Sequence, residues 1–279
     1  MKFLYCILPL LLLVSCEQIV NAPDWPAHEE KLAITATLHI RSDTVFTYAR
    51  VSRTQALDER FDRSATMIHD AEVQLQNGER MITLTPHRQE RRSFYHTYNY
   101  SAITQYGENE DYDLTVRYGE KTATSAVRVR RATMRFTDVR LEYTEGDPRF
   151  RTSTYTLYYS IPAPQADTHT ECTIMYWSPD IEQWMEIHNA KLPPRANRDD
   201  GMLEGSIPFF ARTGDHVSKL RFRYILISRN SAYMEHYHSR WVSDSPFDSA
   251  DKNPRFNIGG DGIGFFMYEI IGDPVEIIY

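Results

Sequence analysis

Apolar and polar residues alternate along much of the chain, and this period of two is typical of β-strands with one buried face. The first alternating run places five apolar residues on one side: Leu32, Ile34, Ala36, Leu38 and Ile40. Thr35, Thr37 and His39 fall on the other side of the same run. Residues 44–51 form a second β-rich run directly after it. The pattern therefore predicts two half-buried strands.

A short turn at Asn77-Gly78 separates two further alternating runs and predicts a hairpin. One run ends at Leu75 and the next begins at Ile82. Asn-Gly between such runs is typical of a type I′ turn, in which both central residues have positive φ.

Residues 31–132 are predicted to form an immunoglobulin-like β-sandwich. The alternating run from Tyr112 to Tyr118 is followed by Gly119 and by a return run that ends at Val129. Tyr112 and the residues after it resemble the late strand of immunoglobulin-like sandwiches, where a tyrosine hydroxyl caps a corner. The number of alternating runs also suits a sandwich of this length.

A second β-rich lobe is predicted over residues 133–279, with a boundary near residue 132. Alternation resumes there in four stretches: residues 139–143, 155–161, 172–177 and 220–226. Residues 189–206 have no period and predict a long loop. Aromatic residues in Ser231–Val242 recur at three- and four-residue spacing, which predicts one short helix capped by Asn230 or Ser231. The expected fold class is mainly β, an immunoglobulin-like sandwich followed by this lobe.

The first residues have the pattern of an export signal. Lys2 precedes an apolar run from Phe3 to Val14, which is too short to cross a hydrocarbon core that needs about 20 apolar residues. Leu13-Val14-Ser15-Cys16 resembles the lipobox of bacterial lipoproteins. Residues 1–15 are therefore predicted to be a signal peptide cut between Ser15 and Cys16, and Cys16 to carry the lipid, with more than one acyl chain needed for durable attachment.

Composition narrows the partners of the mature chain. Residues 16–30 contain Pro23 and Pro26 and predict a tether between the lipid and the folded body. The chain has a net charge of −7, and removal of Lys2 makes it more acidic, so nucleic acid is not an expected partner. Cys172 would have no disulfide partner once Cys16 carries lipid, and its alternating surroundings predict a small buried hydrophobe.

Motifs for catalysis and cofactors are missing from the sequence, which contains no nucleophile elbow, Walker loop, Cys-x-x-Cys or His-Glu-x-x-His. The densest group of possible metal ligands is Glu235, His236 and His238, but the two histidines point apart on the predicted helix. Residues 259–264 are rich in glycine without a βαβ context, so they predict a turn with positive φ rather than a phosphate site. No cofactor, metal or catalytic residue is predicted.

Aromatic residues supply the remaining functional indication. They crowd into one predicted loop or strand edge: Phe94, Tyr95, Tyr98, Tyr100 and Tyr106. Exposed tyrosines stack on sugars or anchor protein interfaces. Tyr95, Tyr98, Tyr100 and Tyr106 are therefore candidate binding residues, with burial in the core as the alternative.

The chain resembles the Bacteroidetes outer-membrane lipoproteins known as domain of unknown function 4249. The resemblance includes the lipobox, the tether, the first strand from Lys31 to Leu38 and Ala71-Glu72-Val73-Gln74-Leu75 before Asn77-Gly78. Its most specific part is a C-terminal signature with these residues: Asn253, Pro254, Asn257, Ile258, Gly259, Gly260, Gly262 and Gly264. This signature is expected to be structural. The sequence departs from the family pattern at residues 161–167, so the resemblance does not imply the family structure for residues 160–210.

The resemblance implies an accessory role beside a TonB-dependent outer-membrane receptor, and it implies no catalytic residues. The leading expectation is a non-enzymatic binding or accessory lipoprotein at the outer membrane, on either of its faces. One alternative is an exported hydrolase of polysaccharide or peptide that uses Asp199, Asp200 and Glu204. Another is a structural or adhesion module of the cell surface.

Overall fold

The fold is mainly β. A computed structural model describes residues 28–56, 63–92, 97–105, 110–130, 134–144, 152–164, 168–193, 199–212, 220–242 and 255–278. Their strands are β1 (Leu32–Arg41), β2 (Thr44–Arg53), β3 (Glu72–Asn77), β4 (Arg80–Thr83), β5 (Thr85–Arg92), β6 (Thr97–Gln105), β7 (Asp111–Tyr118), β8 (Lys121–Arg128), β9 (Asp138–Thr144), β10 (Thr152–Pro162), β11 (Thr168–Ser178), β12 (Gln183–Lys191), β13 (Met202–Arg212), β14 (Arg221–Asn230), β15 (Gly259–Gly260), β16 (Gly262–Ile271) and β17 (Val275–Ile278). The helices are α1 (Arg63–Thr66) and α2 (Ser231–Val242).

The strands form one large sheet and two smaller ones. The nine-stranded sheet has the order β12-β11-β14-β16-β1-β2-β6-β5, and β17 pairs with β14. A five-stranded sheet has the order β15-β8-β7-β3-β4, and a three-stranded sheet has the order β13-β10-β9. The described residues of these sheets belong to one compact unit.

Two hydrophobic cores lie on one face of the nine-stranded sheet, which we call its inner face. In the first core, β1, β2 and β16 pack against the five-stranded sheet through residues such as Leu38, Val73 and Phe266. In the second, β11 and β14 pack against β10 and β13 of the three-stranded sheet. The register aligns the inward residues of β14 with those of β16, so both small sheets cover the same face.

The first two predicted strands are confirmed as β1 and β2. The five apolar residues of β1 are at most 2% exposed, and β1 pairs in antiparallel fashion with β2 across its whole length. Their outward residues therefore lie on the opposite face of the large sheet, which we call its outer face.

The first strand also has a parallel neighbour that alternation did not predict. β16, near the end of the chain, pairs with β1 from Gly262 opposite Leu32 to Ile271 opposite Arg41. The large sheet thus contains strands from both sides of residue 132, and the predicted domain boundary and the immunoglobulin-like assignment stay predictions.

The hairpin at Asn77-Gly78 is confirmed, but the predicted turn positions were wrong by one residue. Asn77 pairs with Arg80 as the last residue of β3, so Gly78 and Glu79 are the central residues. Gly78 has a φ of 60°, whereas Glu79 is not among the residues with positive φ. Positive φ at the first central residue alone is the feature of a type II′ turn. The reason for the shift is that Asn77 is buried and its amide donates to the Asp111 carbonyl.

The predicted loop at residues 189–206 was too long. β12 continues to Lys191 and β13 begins at Met202. Backbone pairing with β10 holds Gly205 and Pro208 within β13, although both residue types weaken a strand pattern in the sequence.

The predicted helix is confirmed as α2. Asn230 Oδ1 accepts the backbone N–H of Tyr233 at 3.2 Å and that of Tyr268 at 3.2 Å. Asn230 therefore caps the helix and also fixes it to β16. Among the described residues, no helix combines the length and apolar character needed to span a membrane.

Candidate binding site on the outer face

The outer face of the nine-stranded sheet carries polar and aromatic side chains because neither small sheet covers it. Helix α2 covers one part, where Tyr233 packs with Phe265 and Met267 of β16. These two residues of β16 lie opposite Thr35 and Thr37 of β1. The helix thus rests on an apolar strip, and the polar part of the face begins at the next strand.

A pocket of about 230 Å³ opens beside the helix on this face, and we call it the outer-face pocket. Its lining comes from β1, β2, β6 and α2: Thr35, Thr37, Tyr48, Arg50, Thr97, Tyr98 and His236. Arg50 lies opposite Thr35, and Tyr48 lies opposite Thr37. Two adjacent rungs of the β1–β2 ladder therefore form part of the lining, and His236 adds a side chain from the helix.

Ring contacts hold the aromatic residues of the pocket in place. The rings of Tyr48 and Tyr98 are 4.6 Å apart between centroids, and His39 meets Tyr48 edge-on at 6.3 Å. His87 meets Tyr98 edge-on at 5.7 Å, and its Nε2 lies 2.7 Å from Ser101 Oγ. Burial lowers the pKa of His87, and the charge of Arg91 lowers it further.

The cation of the pocket is oriented by an acidic residue outside the lining. Arg50 Nε lies 3.6 Å from a carboxylate oxygen of Glu90, and the two side chains are 30% and 26% exposed. The carboxylate of Glu90 therefore offsets the charge of Arg50 at the edge of the pocket.

Next to the pocket, a row of charged and titratable side chains crosses four neighbouring strands. The row consists of His169 on β11, Arg229 on β14, Glu269 on β16 and His39 on β1. Each member lies directly opposite the next. Glu269 accepts from Arg229 Nε at 3.2 Å and lies 2.7 Å from His39 Nδ1.

Glu171 of β11 completes this network on its far side. One oxygen lies 2.5 Å from Arg229 Nη1, and the other lies 3.1 Å from His169 Nε2. Burial alone would lower the pKa of Arg229, but the Tyr233 phenol and the two carboxylates outweigh it and raise the pKa above its ordinary value. Burial, with the charges of Lys191 and Arg229, lowers the pKa of His169 although Glu171 raises it. The row is therefore a fixed ion network around a permanent cation.

The pocket offers many hydrogen-bond donors and no acid. Its described lining provides threonine and tyrosine hydroxyls, a guanidinium and an imidazole, and none of these residues is acidic. Within the described part of the chain, no three His, Cys, Asp or Glu side chains are placed to hold a metal ion. This chemistry suits the binding of a small polar ligand.

One candidate aromatic residue lies in the pocket and another does not. Tyr98 lines the pocket. Tyr100 is 0% exposed in the first core, and its hydroxyl accepts the backbone N–H of Ala71 at 2.9 Å, so its assignment as a binding residue was wrong. The candidates Tyr95 and Tyr106 lie outside the described residues, as does Phe94.

The other pocket residues were missed because they come from distant parts of the sequence. The alternating pattern placed Thr35 and Thr37 on the outward side of a strand, and this was the only indication in the sequence that they could contribute to a site. Arg50 and His236 lie far apart in sequence, and nothing in either segment indicates that they border one pocket.

The group considered for metal binding has other contacts. Glu235 accepts the backbone N–H of Arg255 at 3.0 Å. The ring of His236 meets that of Phe265 edge-on at 5.0 Å and borders the pocket. The side chain of His238 lies outside the described residues.

The C-terminal glycine signature organises the backbone. Gly260 and Gly264 have φ values of 74° and 131°, so the predicted positive φ is confirmed, but Gly264 lies within β16 and not in a turn. A Cβ on Gly264 would lie 1.8 Å from the Ile34 carbonyl oxygen, and one on Gly262 would lie 2.5 Å from Ala123 Cβ. The side chain of Asn257 both accepts from and donates to the backbone of Phe266, at 2.7 and 2.6 Å.

Gly259, another residue of the signature, fits the same description. Gly259 pairs with Thr124 of β8. Asn253 and Pro254 lie outside the described residues, and so do Ser15 and Cys16.

The carboxylates proposed for hydrolysis are exposed. The hydrogen bond seen for one of them is local. Asp200 Oδ1 accepts the backbone N–H of Met202 at 3.2 Å. Glu204 lies on β13 opposite Ser160, and Asp199 is exposed in the preceding turn.

A second aromatic cluster lies on the outer face, toward the edge formed by β12. Trp177 and Trp184 meet edge-on at 5.6 Å, and Arg223 stacks on Trp184 at 4.1 Å. Arg221 lies 5.5 Å from each indole, and both arginines bind Glu276. One carboxylate thus bridges two stacked arginines, which is typical of a structural ladder.

Comparisons with known proteins do not assign the chain to a family. No protein-family model matches it, and no curated protein is significantly similar to it. One solved structure that it matches is described as "Cytokine receptor complex - Crystal form 1A", with a TM-score of 0.26 and 12% identity over 88% of this chain and 94% of that chain. At that TM-score and identity, neither fold nor function is inferred from the match.

Proposed function

We propose that the protein is an exported, lipid-anchored binding protein that holds its ligand in the outer-face pocket and has no catalytic role. The same proposal places it with the outer-membrane lipoproteins of domain of unknown function 4249, as an accessory component beside a TonB-dependent receptor.

The composition of the pocket is the observation that carries the binding role. Tyr48 and Tyr98 supply aromatic surface, and threonine hydroxyls and Arg50 supply donors around one concave space. Ligand sites commonly combine aromatic walls with a few convergent polar groups. Since no described lining residue is acidic, the paired carboxylates that hydrolyse glycosides have no counterpart there, which favours binding over hydrolysis.

The N-terminal sequence supports the lipid anchor. An apolar run of signal-peptide length ends at Ser15-Cys16, and a polar tether follows. Only one other cysteine remains in the mature chain, Cys172, and it is 0% exposed. Cys16 is thus the cysteine that acylation would use.

Membrane fractionation of two cysteine variants tests the anchor. Cys16→Ala should move the protein from the membrane to the soluble fraction, because two or more acyl chains are what would hold it. Cys172→Ala is the matched control and should remain in the membrane. If the Cys16→Ala protein stays in the membrane, the anchor is refuted.

Copurification tests the partner, which is supported only by the family resemblance. The tagged protein, extracted from outer membranes in mild detergent, should bring down a TonB-dependent receptor. If repeated extractions yield the tagged protein without any such receptor, the accessory role is lost and the anchored binding role stands by itself.

A further inference from the structure

We infer that the outer-face pocket takes an uncharged compound rich in hydroxyl groups, with the size of one hexose. This inference rests on the proposed binding function and names the ligand class for the same site.

The charge balance at the pocket favours an uncharged ligand. Arg50 is the one described lining residue with a permanent charge, and the carboxylate of Glu90, 3.6 Å from its Nε, offsets that charge. A charged ligand would therefore lose hydration in the pocket without meeting an unmatched counter-charge, and such a transfer is costly. An uncharged ligand does not incur this cost.

Thr37 supplies a hydroxyl at the floor of the pocket. It is 1% exposed and is the most deeply buried of the described lining residues. Its hydroxyl makes no hydrogen bond to another described residue, and buried polar groups usually have a partner. A threonine hydroxyl both donates and accepts, as a ligand hydroxyl does, so the two groups can pair in either direction. The floor therefore suits a ligand that carries hydroxyl groups.

One wall of the pocket is aromatic. The rings of Tyr48 and Tyr98 are 4.6 Å apart between centroids and are tilted by 42°. A sugar ring carries hydroxyls at its edge and C–H groups on its faces, so it suits a pocket that combines hydroxyls with aromatic surface. The volume of about 230 Å³ is below the roughly 300–1,000 Å³ of pockets for drug-sized ligands, which limits the occupant to about one sugar unit.

Calorimetric titration of the full chain in detergent tests this ligand class with three neutral hexoses: D-glucose, D-galactose and D-mannose. The comparison probes are D-glucuronate and D-glucosamine, which carry a charge, and cyclohexanol, which has a single hydroxyl. We expect saturable binding of at least one hexose and at least tenfold weaker binding of every comparison probe. If no hexose binds, or if a comparison probe binds as tightly as the best hexose, the inference is overturned.

Salt dependence separates this ligand class from one that is attracted by charge. The affinity for the best hexose should stay within twofold when the ionic strength rises from about 0.01 M to about 0.15 M, because an uncharged ligand does not depend on charges that salt screens. A loss of affinity of about fivefold or more over this range would also overturn the inference.

Removal of the floor hydroxyl tests the location of the site. Thr37→Val keeps the side-chain shape and should weaken binding of the best hexose by about fivefold to tenfold. Thr47→Val is the matched control, because Thr47 is 0% exposed and its hydroxyl also has no hydrogen-bond partner among the described residues. Thr47 lies opposite Leu38, on the inner face and away from the pocket. The affinity of this control should stay within twofold of the unmodified protein.

A second variant tests the aromatic wall and keeps the test valid if Thr37→Val does not fold, which circular dichroism would reveal. Tyr98→Leu should weaken binding of the best hexose by about threefold to tenfold. Unchanged affinity in every folded pocket variant would overturn the inference. Binding of a charged probe in place of the hexoses, weakened by Thr37→Val, would overturn the inference and leave the proposed binding function standing.

Discussion

At the scale of single residues, Glu269 shows how a charge is tolerated inside a sheet. Its side chain is 2% exposed, with Arg229 on one side and His39 on the other. An ionised carboxylate without such partners would be too costly to bury. Its place between two partners therefore explains why a glutamate interrupts the otherwise apolar sequence of β16.

Replacement of this carboxylate should be strongly destabilising. Glu269→Gln leaves the buried guanidinium of Arg229 with one carboxylate fewer, and we expect a loss of about 3 kcal/mol in the free energy of unfolding. Urea denaturation measures this loss. Glu72→Gln is the control, because Glu72 also pairs with an arginine but is half-exposed, where water screens the pair. Equal effects of the two substitutions would contradict the buried network.

Cys172 should be unreactive in the folded protein. Burial raises the pKa of its thiol from the ordinary 9.0 to about 12, so at pH 8 the nucleophilic thiolate is almost absent and the sulfur is also inaccessible. Iodoacetamide should modify Cys172 in urea and not in native buffer. Rapid labelling in native buffer would contradict the burial.

The same raised pKa links this thiol to stability at high pH. Below pH 9 the thiol is protonated in both states and its contribution to stability is complete. As the pH rises from about 9 to about 12, the unfolded chain releases the proton first, so stability falls. A Cys172→Ala variant should therefore lose less stability over this window than the unmodified protein, as measured by urea denaturation at each pH.

Tyrosines 98 and 100 show what alternation could and could not predict. They lie two positions apart, so a regular strand would place both on one face. The regular β2–β6 pairing ends at Tyr100, and the Asn99 side chain instead bonds the backbone N–H and C=O of Val51. This local departure puts Tyr98 at the pocket and Tyr100 in the core, and no single-sequence pattern predicts it.

At the scale of elements, the glycines of β16 allow it to lie directly against β1. Gly264 has a φ of 131° and leaves no room for a Cβ beside Ile34. The sequence correctly predicted positive φ in this segment. The sequence could not predict the parallel pairing. Residues on both faces of β16 are mostly buried, and a strand of this kind shows no alternation of apolar and polar residues.

Substitution of one glycine tests this close approach. Gly264→Ala should cost on the order of 3 kcal/mol through backbone strain and overlap with Ile34. Gly119→Ala, at a turn with φ of 58° and open space around the position, should cost only about 1 kcal/mol. Thermal or urea denaturation compares the two. A Gly264→Ala protein as stable as the Gly119→Ala protein would contradict the β1–β16 contact.

At the scale of the whole molecule, one sheet supports both cores on its inner face and the pocket on its outer face. Residue patterns predicted the half-buried strands and helix α2, because period and capping are local properties. The order of strands and the presence of Arg50 and His236 in one pocket depend on pairing over long sequence distances, which periodicity does not encode. The outer-face pocket therefore emerged only from the assembled sheet.

The proposal that this β body works while tethered to a membrane by Cys16 is tested most directly by one mass measurement. The N-terminal peptide of protein purified from membranes should begin at Cys16 and carry the added mass of at least two acyl chains. A peptide that begins at another residue, or that begins at Cys16 with an unmodified thiol, would contradict the proposal.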